Sequence, residues 1–290
     1  MKTSLDCLPC FVRQTLDAAR MVSTDPAFHE RFLREILARI TEMSLDTAPA
    51  VFGRELHRRI RGLSGRGDPY REAKERQNLF ALALMPGLRE QISAAPDPLI
   101  LAARLAAAGN VIDLGAPGAI SETSVRESIA QAMIRPLVGE ENGFREEILS
   151  AENILYLADN AGEIVMDRLF IERLGPSRVT VAVRGGPILN DATRADARAA
   201  GLAEIVEIID NGSDAPGTLL EDCSPEFLRR FEAADLVLAK GQGNFETLAG
   251  HPKNIFFLFK VKCPVIAAEA GAPVGAHVLI RSAGAQGRLA

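Results

Sequence analysis

The sequence predicts an α/β protein of three layers (α/β/α) with a mostly parallel sheet, joined to a helical N-terminal region. Three observations carry this expectation. Short apolar runs of strand length recur in the second half, at 153–158, 178–183, 203–209, 234–240 and 254–259. Helix-like segments connect most of them, and buried strands alternating with helices are the pattern of a parallel sheet covered on both faces. The first half instead carries helical periodicity.

Taken in order, Pro9 can open a helix over about residues 9–21, with Phe11, Val12, Leu16 and Ala19 as its apolar positions. Further helices are expected at 26–43, 49–61, 70–84 and 97–108, with SGRGDP at 64–69 as a turn-rich break and Asp97-Pro98 as a helix start. VIDL at 111–114 is a short strand candidate, and 121–136 another helix with Ser121 available as a cap. NILYLA leads into DNAGEIVMDRLFIERLG, an amphipathic helix ending at Gly175, and RVTVAV leads through a polar loop to a helix reaching Ala200. The chain thus divides into a helical region at 1–108 and an α/β domain at 109–290, with 109–150 as the transition.

The 290 residues are 47% hydrophobic but only 5% aromatic and lack Trp, so much of the core must be aliphatic. A net charge of −5, from 33 basic and 38 acidic side chains, argues against a general nucleic-acid binder. The run Arg54, His57, Arg58, Arg59, Arg61 reads as a solvated helix face. No signal peptide or membrane-length apolar run is evident, so a cytoplasmic protein that does not enter a membrane is expected. Four Cys suggest reduced thiols. Oligomeric state stays open.

Candidate chemistry sits after the strands. Asp159 and Asn160 follow the first apolar run, at the end where parallel sheets bind ligands. Their oxygens suit Mg²⁺ or Mn²⁺, and Gly162 lets backbone approach a ligand. Either residue can equally cap the next helix. Asp191 offers a second carboxylate after the next strand, where Asn190 or Asp191 can likewise be a cap. In Asp210–Thr218, successive backbone N–H groups, including those of Gly212 and Ser213, can surround an anion or form an ordinary turn. Lys240 can neutralise phosphate beside Gly241, although this is no Walker A loop and no GxGxxG fingerprint suggests a nicotinamide cofactor. His29, His57, His251 and His277 read as core or surface residues. Cys7 and Cys10 can share a second metal or form a redox pair, with Cys223 or Cys263 as further ligands, or simply pack.

DCLPC at 6–10, DPYREAKERQN at 68–78, LADNAGEIVMD at 157–167, RGGPILNDAT at 184–193, DNGSDAPGT at 210–218 and KGQGNFETL at 240–248 together resemble the metal-dependent damage-control phosphatase family. The branch with an N-terminal cysteine pair is the most similar. The resemblance implies that Asp159, Asn160 and Asp191 are metal ligands, that Lys240 and Gly241 contact phosphate, and that Glu163 and Glu246 support the site. It also implies hydrolysis of a sugar phosphate or another phosphorylated metabolite, with Co²⁺ or Ni²⁺ as further metals. A metal-dependent regulator that binds a phosphometabolite without turnover, or a methyltransferase, is the alternative.

Overall fold

The computed structural model describes residues 1–65, 67–109, 122–139 and 141–282. The candidate strand at 111–114 and the candidate cap Ser121 lie outside them. The first half is helical, with α1 (Cys7–Val22), α2 (Pro26–Glu42), α3 (Pro49–Ser64), α4 (Arg71–Ala94), α5 (Pro98–Gly109) and α6 (Glu122–Ile134). Next come β1 (Val138–Gly139), α7 (Glu141–Ser150), β2 (Ile154–Leu157), α8 (Glu163–Leu174), β3 (Val179–Val183) and α9 (Arg194–Ala199). The chain continues through β4 (Glu207–Asp210), α10 (Pro225–Ala233), β5 (Leu236–Lys240), α11 (Gln242–Leu248), β6 (Ile255–Lys260), α12 (Pro264–Ala270) and β7 (His277–Arg281).

Local chemistry sets many helix starts. Pro26, Pro49, Pro225 and Pro264 stand at the first position of α2, α3, α10 and α12, where a missing N–H costs nothing. Asp25 caps α2 by accepting from the Ala27 N–H at 2.9 Å. The sequence stops the fourth helix at 84, before Pro86, but α4 runs to Ala94. Leu88 and Ile92 keep its apolar face buried beyond the proline, and that packing outweighs the lost hydrogen bond.

The strands form one sheet in the order β1-β7-β6-β5-β2-β3-β4, parallel except for the antiparallel β6–β7 pair. The α/β class is as expected. β4 is shorter than the 203–209 run, because Leu202–Glu204 forms a 3₁₀ turn first. Strand parity divides two cores. Leu236 and Leu238 face α5 and α8 alongside Tyr156, Leu105 and Phe170, whereas Val237 and Ala239 face α10 and α11 with Phe227, Phe231 and Phe245. Phe11, Phe32, Phe52 and Leu56 form a separate cluster within α1–α3.

The arginines of α3 form a solvated face only in part, with Arg58 and Arg59 exposed and Arg59 paired to Glu35 of α2. Arg54 and Arg58 pair with Asp222, and Arg58 and Arg61 with Asp214, so they clamp α3 onto the loop after β4. His57 is buried among them, and burial, aided by Arg61, lowers its pKa to about 3.

Candidate active site

The sheet has a topological switch point at β2. The chain moves from β2 to β3 and β4 on one side, then crosses to β5 and β6 on the other. Ligands bind in the crevice that such a reversal opens beyond the carboxyl ends of the strands. Leu157 pairs in register with Ala182 on β3 and with Ala239 on β5. Two residues further on, Asp159, Arg184 and Gly241 therefore stand at one level above the sheet.

Asp191 reaches the same place by a fold-back. Asn160 and Asp191 form an isolated antiparallel bridge. The Ala192 N–H donates to the Asp159 carbonyl at 2.7 Å, and the Ala161 N–H to the Asn190 carbonyl at 2.8 Å. Leu189, two residues before Asp191, has φ 45°, which costs a side-chain-bearing residue about 1–2 kcal/mol. The capping roles open to these residues fall elsewhere. The N-cap of α8 is Gly162, whose N–H donates to Asn78 Oδ1 at 2.7 Å. The N-cap of α9 is Thr193, in a reciprocal capping box with Asp196.

The side chains converge on few partners. Asn160 Nδ2 donates to Asp159 Oδ2 at 2.7 Å and to Glu163 Oε2 at 3.0 Å. Arg184 donates from Nε to Asp191 Oδ2 at 2.6 Å, and its Nη2 lies 3.8 Å from Asp159 Oδ1. Burial, then the charges of Glu163 and Asp191, push the Asp159 carboxyl well above the usual carboxylate range, while Lys262 and Arg184 pull it down. Gly241 has φ 80° and ψ 158°, a conformation essentially reserved for glycine, and a Cβ there would overlap the Asp159 carboxylate. Its N–H donates to the Leu258 carbonyl at 3.2 Å, and its lack of a side chain makes room for Asp159.

Lys240 departs from the expected phosphate contact. It shares the face of Leu236 and Leu238, away from the cavity, because side chains alternate along β5. Its fully buried ammonium donates to Glu163 Oε1 at 2.6 Å, Asp167 Oδ1 at 2.6 Å and the Ala106 carbonyl at 3.0 Å. Burial disfavours its charge, but Asp167 and Glu163 more than reverse this and raise its pKa. Asp167 is pushed up to about 6 by burial, against the pull of Lys240. Gly212 and Ser213 do not form the expected anion cradle either. The Ser213 and Gly185 N–H groups each donate to Asn211 Oδ1 at 3.0 Å, and the Gly212 N–H donates to Asp210 Oδ1 at 3.1 Å. The loop's own side chains fill the place an anion was expected to take.

A cavity of about 700 Å³ opens over Asp159, Asn160 and Asp191. Glu246, Lys262, Cys7, Cys10 and Cys263 line it too, with apolar walls from Phe11, Met21, Leu189 and Ile266. Glu246 accepts from Gln242 Nε2 at 3.0 Å, and burial raises its pKa. Burial also raises the thiol pKa values of Cys7 and Cys10, and all four cysteines are free thiols. Among the described residues no three His, Cys, Asp or Glu side chains gather into a metal-holding group. The set at the strand ends differs in kind, with two carboxylates and an amide oxygen. Those hard oxygens fit a divalent cation, which would relieve the repulsion that raises Asp159.

Sequence reasoning missed Arg184, Lys262, Asp167 and the link to α4. In that link Asn78 Nδ2 donates to Asp196 Oδ1 at 2.9 Å, and Lys74 pairs with Asp196 at 2.8 Å. Asp167 was within reach of a sequence signal. Glu163 and Asp167 are spaced four apart among the apolar residues Ile164, Val165, Met166 and Phe170 of α8, which puts two acids on one face and calls for a buried cation.

Fold and site thus define an α/β protein with an acidic ligand cavity at a topological switch point. The sequence profile described as the damage-control phosphatase ARMT1-like domain matches residues 3–278, and the chain belongs to that family. An uncharacterized protein of Methanocaldococcus jannaschii is 35% identical over 296 residues, covering 97% of this chain and 96% of its own length. A damage-control phosphatase of Pyrococcus horikoshii is 33% identical over 97% of this chain and 99% of its own. One of Archaeoglobus fulgidus is 33% identical over 95% and 97%. The crystal structure of a DUF89 family protein from Pyrococcus horikoshii superimposes with a TM-score of 0.86 at 32% identity, covering 97% of this chain and 99% of that one. No helix among the described residues is long and apolar enough to cross a membrane.

Proposed function

We propose that this protein hydrolyses the phosphomonoester of a small metabolite, using a divalent cation held by Asp159, Asn160 and Asp191. The observation that carries this reading is the convergence of those three side chains above the sheet with neither carboxylate spent on a helix cap. Charge supports it. Asp167 is matched by Lys240 behind the cavity, which leaves three buried carboxylates (Asp159, Asp191 and Glu163) facing one buried cation, Arg184. Fully ionised, these groups carry three negative charges and one positive, a surplus that a divalent cation balances. Mg²⁺ or Mn²⁺ matches the oxygen donors best, with Co²⁺ or Ni²⁺ as further candidates.

When bound, the cation supplies positive charge at the transferring phosphoryl group and makes water nucleophilic at neutral pH. The protein's own residues do the rest. Arg184 fixes Asp191 and offsets part of its charge. Lys262, which lines the cavity and acts electrostatically on Asp159, takes the phosphate-contacting role first read for Lys240. The apolar walls exclude water and pack the organic part of the substrate, for which a sugar phosphate is one candidate. The damage-control phosphatase relatives support the reaction class.

The test is release of inorganic phosphate from a metabolite panel after metal removal and restoration. Activity is expected to vanish with chelation and return with Mg²⁺ or Mn²⁺. Asp191→Ala is expected to lower it at least about 100-fold, since losing even a residue that only supports a ligand costs about 10–100-fold. Full metal-dependent activity in folded Asp191→Ala sinks the ligand assignment.

A further inference from the structure

Lys240 and Glu163 are fully buried, and the metal-site reading leaves both unused as ligands. Their placement is specific. Lys240 Nζ holds Glu163 Oε1 at 2.6 Å, and the other carboxylate oxygen, Oε2, accepts from Asn160 Nδ2 at 3.0 Å. The second Asn160 N–H goes to Asp159 Oδ2 at 2.7 Å. Both amide hydrogens therefore point at carboxylates. Turning the amide over would set its oxygen against two negative oxygens, so Oδ1 is fixed as the polar atom left for the cavity that Asn160 lines.

We propose that Lys240 and Glu163 are positioning residues that orient Asn160 Oδ1 as a metal ligand, an inference that rests on the metal-site reading above. Glu163 does this by facing Lys240 with Oε1 and Asn160 with Oε2, so the Lys240 ion pair sets the carboxylate's orientation toward the amide. Lys240 is held in turn by Asp167 at 2.6 Å and by the Ala106 carbonyl of α5 at 3.0 Å, so its three donors are all engaged. Partners behind a ligand fix its orientation and basicity, and losing one typically costs 10–100-fold in metal affinity.

Asp167 provides the control. It bonds to Lys240, whereas both Asn160 amide hydrogens go to Asp159 and Glu163, so its loss disturbs the buried ion cluster without freeing the amide. The experiment measures Mn²⁺ affinity by titration of metal-free protein, with thermal melting as the check on folding. Glu163→Gln, close to isosteric, is expected to weaken Mn²⁺ about 10–100-fold, because one of its two oxygens becomes a donor. Asp167→Asn is expected to lower the melting temperature yet bind Mn²⁺ like the wild type. Lys240→Met combined with Glu163→Gln is expected to bind no more weakly than the weaker single variant, since both act through one link. Wild-type affinity in folded Glu163→Gln overturns the proposal, and so does an equal loss in Asp167→Asn, which marks a merely structural cluster. Absence of Mn²⁺ binding by the wild type refutes the metal site itself, and with it this proposal.

Discussion

The Asp159 carboxylate and Gly241 meet across the gap between two parallel strands, and that contact makes one glycine a sharp probe. Gly241→Ala adds a methyl group where the carboxylate lies, in a backbone conformation that side chains avoid. Phosphate release and Mn²⁺ affinity are both expected to fall to the level of Asp159→Ala; near-normal values would show that Asp159 does not need this space. At this scale the sequence was partly legible. Asp159, Asn160 and Asp191 were found from their positions after apolar strands, and the fold does bring them together. For Lys240, strand parity overrides the phosphate contact that its neighbouring glycines suggest. Its alternation with Leu238 and Leu236 already places it on the helix-covered face. Arg184 was hidden for another reason: its role depends on strands β2 and β3 being neighbours, which no local pattern states.

Helices and loops are held against the site by buried polar links. Asn78 of α4 joins the Gly162 N–H at the start of α8 to Asp196 of α9. Asn78→Ala leaves the Gly162 N–H unpaired in the interior, while Asp196 keeps Lys74 and Thr193, and one such unpaired group costs about 1–3 kcal/mol. Chemical denaturation should register that loss, whereas an unchanged midpoint would remove α4 from the account. The α3 clamp gives a pH-dependent test. Burial raises the Asp214 pKa, but bonds and charge from Arg58 and Arg61 outweigh it, so the net shift is below the ordinary 3.8. A depressed folded-state value means that the carboxylate stabilises the fold above the ordinary range and loses this effect as pH falls through the folded value. Asp214→Asn should therefore melt earlier than the wild type at neutral pH, with the gap closing under strong acid. The gap should be modest, no more than about 1 kcal/mol, because Arg58 is half exposed. A gap that persists unchanged in acid would contradict the ion-pair origin. Element boundaries were legible where proline or an apolar run marked them. The extension of α4 past Pro86 was not, since tertiary burial of Leu88 and Ile92 decides it.

Across the whole molecule, the α/β class followed from apolar runs alternating with helices, and the sheet agrees. The strand order did not follow, because crossovers are long-range choices that no window of sequence contains. β7 was missed: its antiparallel pairing with β6 depends on the turn after α12 and not on a crossover helix. The site gathers groups from β2, the loop after β3, β5 and α8, so metal binding should stabilise the whole fold. At a hundredfold excess over the dissociation constant, linkage adds about 2.7 kcal/mol. Mn²⁺ should then raise the melting temperature of the wild type by several degrees and leave Asp191→Ala unmoved.

The central claim is that two carboxylates and an amide at the switch point hold a divalent cation. The most direct measurement is anomalous diffraction from crystals soaked in Mn²⁺. The account predicts one strong peak bounded by Asp159, Asn160 and Asp191, on the cavity side of Arg184. A peak at Cys7, Cys10 and Cys263 alone, or no peak in crystals whose cavity is open to solvent, would contradict it.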